Sequence, residues 1–286
     1  MAHNPRLGFH PSLAARAAAA REAAKVVQPT KPSVAAREEA KELKLCGLAA
    51  VHARFARDPA SIQRLFYDAA LGQRVGAICK VLAAAKKVYR QVDSAELEKV
   101  AGSLHHGGVV AVVTPVPLKT PGASDIAAWA QAGEAVLVLD RIGNAHNLGA
   151  IARTAGFFGV PRIVIPDHPN AAKPTEAAHR VAEGGLEFVD VWQTRDLVGL
   201  VRELGAAGYD VVGAATRGGR PELAAAGAGR KPVALVLGNE EHGLTPVVAA
   251  VCGRLVTIPG GGKIESLNVS VAGAVLLWEL LGRRAG

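Results

Sequence analysis

From Glu134 onward, short apolar runs of strand length alternate with amphipathic stretches of helix length, and this alternation narrows the fold class more than any other feature. The strand candidates are Ala135–Leu139, Arg162–Ile165, Glu187–Val191, Tyr209–Ala214, Val233–Leu237 and Arg254–Ile258. Helical patterns fall between and after them: Gly149–Phe158, Glu176–Ala182, Thr194–Ala207, Thr245–Cys252 and Val269–Leu281. Strand, helix, strand in this order joins parallel strands through crossover helices, so the expected architecture is α/β with helices on both faces of a parallel sheet. No internal repeat interrupts it.

The region before Glu134 divides by composition. Residues 1–37 carry Arg6, Arg16, Arg21, Lys25, Lys31 and Arg37 against Glu22 alone, with Pro5, Pro11, Pro29 and Pro32 around an Ala-rich stretch. They read as a mostly disordered basic arm holding one short helix. Such an arm is either a non-specific phosphate-binding tail or a solvated leader. Residues 38–115 read as a small α/β domain. Helical spacing covers Ala40–Arg57, Ile62–Phe66 is strand-like, and a long helix covers Asp68–Ala85. Val88–Val92 is a second strand, Ser94 opens another helix, and the turn His105-His106-Gly107-Gly108 enters the buried strand ending at Val113. Residues 116–133, with Pro117, Pro121, Gly122 and Gly133, read as a linker.

The 286 residues carry a formal net charge of +8, which favours a polyanionic partner. Cys46, Cys79 and Cys252 form no Cys-x-x-Cys pair, which argues against a zinc site and a disulfide framework and fits a reducing, cytoplasmic setting. No apolar run approaches the ~20 residues of a membrane span. The N-terminus lacks the apolar core of a signal peptide.

Three segments carry the chemistry. The first runs Asp140-Arg141-Ile142-Gly143-Asn144-Ala145-His146-Asn147-Leu148-Gly149-Ala150-Ile151-Ala152-Arg153. Arg153 in this apolar setting needs an anion, either a substrate or a carboxylate such as Glu240. It lies six residues after Asn147, about 1.7 helical turns, so the two face differently unless Asn147 sits in the preceding turn, the expected arrangement. The second segment, Leu235-Val236-Leu237-Gly238-Asn239-Glu240-Glu241-His242-Gly243, ends an apolar strand where open α/β sheets bind ligands. His242 lies among charged loop positions and is given no acid–base role. The third is Ile258-Pro259-Gly260-Gly261-Gly262-Lys263-Ile264-Glu265-Ser266-Leu267-Asn268, a glycine loop that lets backbone approach a ligand before a capped helix. Rival nucleotide motifs fail. Ile264 replaces the Ser/Thr that a P-loop needs after Lys263, and Gly227-Ala228-Gly229 lacks the last glycine of a dinucleotide fingerprint.

In this order and spacing the three segments resemble the signature of the SpoU/TrmH family in the SPOUT superfamily, whose members methylate the ribose 2′-hydroxyl of RNA. The resemblance implies a C-terminal parallel-sheet domain over 134–286 with a deep trefoil knot, which no composition or periodicity would predict. Residues 38–115 resemble, less specifically, the L30e-like substrate-binding domain that often precedes it. The resemblance makes Arg153, Asn147, Glu240, Ser266 and Asn268 the catalytic group. It has Thr216, Gly238, Ile258 and Leu267 frame S-adenosylmethionine, with no metal, and it implies a homodimer acting on tRNA or rRNA. The alternative is a non-catalytic RNA-binding protein that keeps the fold. Two departures stand out: Asn144-Ala145-His146-Asn147 lacks the family's proline, and Gly260-Gly261-Gly262 replaces its methionine.

Overall fold

The computed structural model describes residues 42–216, 218–219 and 231–281. The basic arm 1–37, the residues up to 41 and Gly227–Gly229 lie outside them. Two sheets organise the described chain.

The first sheet has four strands: β1 (Leu43–Cys46), β2 (Ile62–Tyr67), β3 (Val88–Gln91) and β4 (Val109–Val113), in the order β1-β4-β2-β3. Strand β4 is buried at every position and pairs antiparallel with both β1 and β2. Helices α1 (Leu48–Arg57), α2 (Gly76–Ala84) and α3 (Ser94–Ala101) cover it. The helix expected over Ala40–Arg57 is instead β1 and α1. Leu43 and Leu45 alternate inward as in a half-buried strand, and Gly47 at φ 88° breaks the chain between the two elements. The helix expected over Asp68–Ala85 is also divided. The Asp68 carboxylate accepts from Leu71 N at 3.0 Å and caps a single 3-10 turn, Ala69–Leu71, and α2 begins only at Gly76.

The region expected as a linker contains a helix, α4 (Ala123–Gln131), which buries Ile126 and Trp129. Its start is fixed by Asp125, whose carboxylate accepts from Gly122 N at 2.8 Å. The prolines and glycines around it are boundary residues of an element that the loop-like composition concealed.

The second sheet is wholly parallel. Its strands are β5 (Val136–Leu139), β6 (Arg162–Pro166), β7 (Asp190–Thr194), β8 (Asp210–Ala214), β9 (Val233–Leu237) and β10 (Arg254–Val256), in the order β10-β8-β9-β5-β6-β7. From β5 the chain winds outward to β7, then crosses to build the other half. Strands β5 and β9 are buried throughout, as befits central strands covered on both faces. One face packs against α5 (Ala145–Phe157), α6 (Glu176–Ala182), the short α7 (Gly185–Phe188) and α10 (Val269–Leu280), and the other against α4, α8 (Leu197–Ala206) and α9 (Pro246–Ala249). The expected strand at Glu187–Val191 is displaced to Asp190–Thr194, because Gly185–Phe188 turns as a helix that carries Glu187 inward. Glu176–Ala182 and Val233–Leu237 stand with the expected bounds, and the remaining elements stand with shifted ends. Helix α8 starts at Leu197 because Asp196 caps Gly199 N at 2.7 Å, α9 spans only Pro246–Ala249, and β10 stops at Val256.

Residues 43–113 meet the parallel sheet's helices through a buried ion pair. Arg54, on α1, places Nε 2.8 Å from Glu187 Oε2 and donates from Nη2 to Oε1 at 2.9 Å, with both side chains almost wholly excluded from solvent. Arg57, one turn on, pairs with Asp190 and donates to the Glu187 carbonyl at 2.9 Å. His179 lies 3.6 Å from the same carboxylate. Burial, aided by the Arg54 charge, lowers the His179 pKa from 6.5 to about 4. The unfolded chain therefore binds a proton here that the folded chain refuses. The stabilisation from a neutral His179 is full above pH 6.5 and is lost as the pH falls toward 4, an effect of at most about 3 kcal/mol. Between pH 7 and 5 the melting temperature should fall more steeply for the native protein than for His179→Gln. Equal slopes would show that His179 does not govern the acid response.

Candidate active site

The loops after β8, β9 and β10 line a cleft of about 750 Å³ at the carboxyl ends of the strands, the expected ligand position in an open α/β sheet. Its walls include Thr216, Gly238, Glu240, Ile258, Ser266 and Leu267. The four residues expected to frame a donor thus lie around one cavity, beside two of the expected catalytic group. Leu237, Val256, Val269 and Leu276 add apolar surface from strand ends and α10.

Gly238 is required where it stands. A Cβ there would come within 2.2 Å of the Gly243 carbonyl carbon, because the loop folds straight back over it. Asn239 N donates to Gly243 O at 3.0 Å and Gly243 N returns a bond to Asn239 O at 2.8 Å. The side chain of Asn239 donates to Arg141 O at 3.2 Å, tying this loop to the one after β5. Asp140, 3% exposed, accepts from Thr245 N at 2.6 Å. Asp140, Asn144 and Asn239 stand inside the three segments, yet nothing in the motif itself marks their roles. Their work is to hold backbone N–H and carbonyl groups, for which the only sequence signal is a short polar side chain at a strand or helix end.

Helix α5 begins earlier than expected. Asn144 caps it by accepting from His146 N at 2.8 Å, so Asn147 sits within the first helical turn and not in the preceding turn. This segment has no proline, and the Asn144 side chain supplies the cap that marks the start of the helix. From that turn Asn147 donates to Glu240 Oε1 and accepts from Asn268 Nδ2 at 3.1 Å. The Asn268 side chain also accepts from Ser270 N at 2.9 Å, capping α10. A continuous chain Asn268–Asn147–Glu240 therefore joins the first, second and third segments.

Arg153 stands apart from this chain. It is exposed and pairs with Glu183 at 2.9 Å, so the carboxylate expected as its structural partner, Glu240, is engaged by Asn147. Arg153 is also not among the residues lining the cleft. Ser266 lies in the exposed loop 259–268 on the cleft's rim, where Gly260 to Gly262 leave open space around their backbone. Among the described residues no helix is long and apolar enough to cross a membrane.

Residues 134–278 match the model of the SpoU rRNA Methylase family, and residues 44–118 match that of the RNA 2'-O ribose methyltransferase substrate binding family. The chain is 34% identical over 251 residues to the uncharacterized tRNA/rRNA methyltransferase YfiF of Escherichia coli O157:H7, spanning 87% of this chain and 70% of that one. It is 33% identical over 242 residues to the 23S rRNA (guanosine-2'-O-)-methyltransferase RlmB of Ralstonia nicotianae, spanning 84% and 96%. Among solved structures, an AdoMet-bound rRNA methyltransferase from Sinorhizobium meliloti superposes with a TM-score of 0.70 at 25% identity, covering 88% of this chain and 90% of that one. With its second and third segments lining one cleft of a parallel sheet and its first tied to them through Asn147, the chain belongs to the SpoU rRNA methylase family.

Proposed function

We propose that the protein transfers a methyl group from S-adenosylmethionine to a ribose 2′-hydroxyl of tRNA or rRNA. The observation that carries this is the Asn268–Asn147–Glu240 chain joined to the lip of the 750 Å³ cleft. The relatives' names, methyltransferases of tRNA/rRNA and of 23S rRNA guanosine, support the substrate class.

The residues present fit the donor. The cleft lies within the ~300–1,000 Å³ typical of ligand pockets, has apolar walls, and gives close access to backbone at Gly238 and the glycine loop. Thr216, Gly238, Ile258 and Leu267 would hold it. When bound, the donor supplies a methyl group on a positively charged sulfur that is already activated. The protein's share is orientation and charge. Glu240 and Asn268 fix both ends of the Asn147 amide, which in turn holds Glu240 in place at the edge of the cleft. Ser266 offers a hydroxyl at the rim. Arg153 stays charged, since a guanidinium does not deprotonate in proteins. It binds a phosphate beside the target ribose and stabilises the oxygen as negative charge grows on it. The proton then leaves to that phosphate or to water.

A homodimer belongs to the same reading, with both catalytic domains contributing to the RNA site. It is supported by an exposed apolar patch where α5 meets α10: Phe157 (82% exposed), Trp278 (55%), Val271 and Val275. Phe158 links the patch, with ring centroids 5.1 Å from Phe157 and 6.5 Å from Trp278. The absence of Arg153 from its own chain's cleft lining fits a guanidinium delivered across such an interface. A deep trefoil knot within 134–286 is also part of this reading, supported by the family match over 134–278. So is an RNA-binding role for the L30e-like domain, supported by the family match over 44–118. The cytoplasmic setting rests on the free thiols of Cys46, Cys79 and Cys252.

Calorimetry on the full chain should show S-adenosylmethionine binding, and Leu267→Ala should weaken it about three- to tenfold through lost apolar contact. No heat at millimolar donor would remove the enzyme reading. The substrate is read by mapping 2′-O-methyl marks in total RNA from cells with and without the protein. An unchanged map would reject the proposed activity.

A further inference from the structure

An exposed guanidinium is a poor catalyst if it samples many rotamers, because orientation supplies much of its effect. Arg153 meets the carboxylate of Glu183 at 2.9 Å, with the two side chains 57% and 59% exposed. An exposed pair of this kind adds little to stability, yet Glu183 occupies a position that disfavours it twice. Its φ is 44°, in the left-handed region where glycine is at ease. It also caps the carboxyl end of α6, where the helix dipole opposes a negative charge. A residue kept at a doubly unfavourable position points to use of its side chain.

The corner that carries Glu183 is gripped from two sides. A Cβ on Gly184 would lie 3.3 Å from Ala49 O and 3.4 Å from Ala50 Cα, so its backbone rests on α1. A Cβ on Gly185 would lie 2.7 Å from Arg153 Cα and 2.9 Å from Arg153 N, so its backbone rests on α5 at Arg153 itself. Two residues later, Glu187 is held by Arg54 in the buried pair. One short segment thus touches the N-terminal domain, the Arg153 backbone and the Arg153 guanidinium.

We propose that Glu183 is a positioning residue for Arg153, held in place by the docking of α1 against residues 184–187. The carboxylate takes one edge of the guanidinium and fixes its plane. The remaining N–H donors stay free for an RNA phosphate, since a guanidinium carries five donors in a rigid fork. The proposal rests on the reading that Arg153 acts at the reacting ribose.

The test is methyl transfer by the full chain to total RNA from cells lacking the protein, under single turnover. The rate at saturating enzyme is separated from the concentration giving half that rate. Glu183→Ala is expected to slow the saturated rate about tenfold, with half-saturation and donor affinity within about twofold. Glu183→Gln keeps an acceptor oxygen and should retain most of the rate. Glu183→Gly relieves the backbone and should melt no lower than Glu183→Ala, yet be as slow, which a purely structural role would not give. In an Arg153→Lys background, Glu183→Ala should have no further effect, because the pair acts as a unit. If Glu183→Ala keeps the full rate while Arg153→Ala loses it, Glu183 is a bystander and the reading of Arg153 survives. If Glu183→Gln is as slow as Glu183→Ala, with an altered pH profile, the carboxylate itself handles the proton and positioning is refuted. If Arg153→Ala keeps the rate, the underlying reading falls and takes this proposal with it.

Discussion

Arg153→Ala is expected to lower the rate of methyl transfer about 10²–10³-fold, the loss typical when a donor to developing negative charge is removed. Donor affinity and melting temperature should barely move. The side chain lies outside the cleft lining and is more than half exposed, and its ion pair with Glu183 is exposed as well. A group used mainly in the transition state changes turnover more than ground-state binding. Arg153→Lys should recover little, because an ammonium cannot present two parallel N–H groups to a phosphate while a third contacts Glu183. Filter-binding assays of methyl incorporation, run beside donor calorimetry, check this. Retention of most of the activity by Arg153→Ala would show that another group stabilises the charge.

Glu187→Ala should be among the most destabilising single changes in the chain, at about 3–5 kcal/mol, because it strands the Arg54 guanidinium in a site with almost no solvent. Burial raises the Glu187 carboxyl against the pull of Arg54 and then Arg57, and a buried ion pair adds little over well-packed apolar groups of similar volume. The double replacement Arg54→Met with Glu187→Leu should accordingly recover most of the lost stability. Denaturant midpoints of the native protein, Glu187→Ala and the double variant decide this. A double variant as unstable as Glu187→Ala would mean that the polar pair is needed beyond charge balance.

Much of the catalytic half was legible because its signals are local. Val233–Leu237 is a run of apolar residues with nothing to interrupt it, and it is strand β9 with those bounds. Glu176–Ala182 was likewise plain from its spacing. The misread segments share a cause: a tertiary contact overrode the local pattern. Gly185–Phe188 turns as a helix because Glu187 is drawn to Arg54, 133 residues away. Ala40–Arg57 looked helical because the Leu43–Leu45 alternation spans too few residues to be told from helical spacing, and only Gly47 marks the change. At the site, residue identities could be carried over from the family's motifs, but partners could not. Spacing left Arg153 and Glu240 as a plausible pair. The structure instead gives Glu240 to Asn147 and Arg153 to Glu183, a residue in none of the three segments. An ion pair across a helix corner leaves no periodic trace in sequence.

The parallel sheet also sets an order of events during synthesis. Every residue lining the cleft comes at or after Ala214, whereas β5, which β9 must join, is complete by Leu139. Such distant pairings are slow, since a long loop must close before any contact rewards it. A nascent chain that has emerged as far as Thr194 holds every residue of the four-stranded sheet, the Arg54–Glu187 pair and the Arg153–Glu183 contact. It has no cavity yet for a methyl donor. The Arg153–Glu183 corner therefore precedes the cleft along the chain, and a chain clipped before Ala214 carries that corner with neither the donor cavity nor the α10 side of the apolar patch.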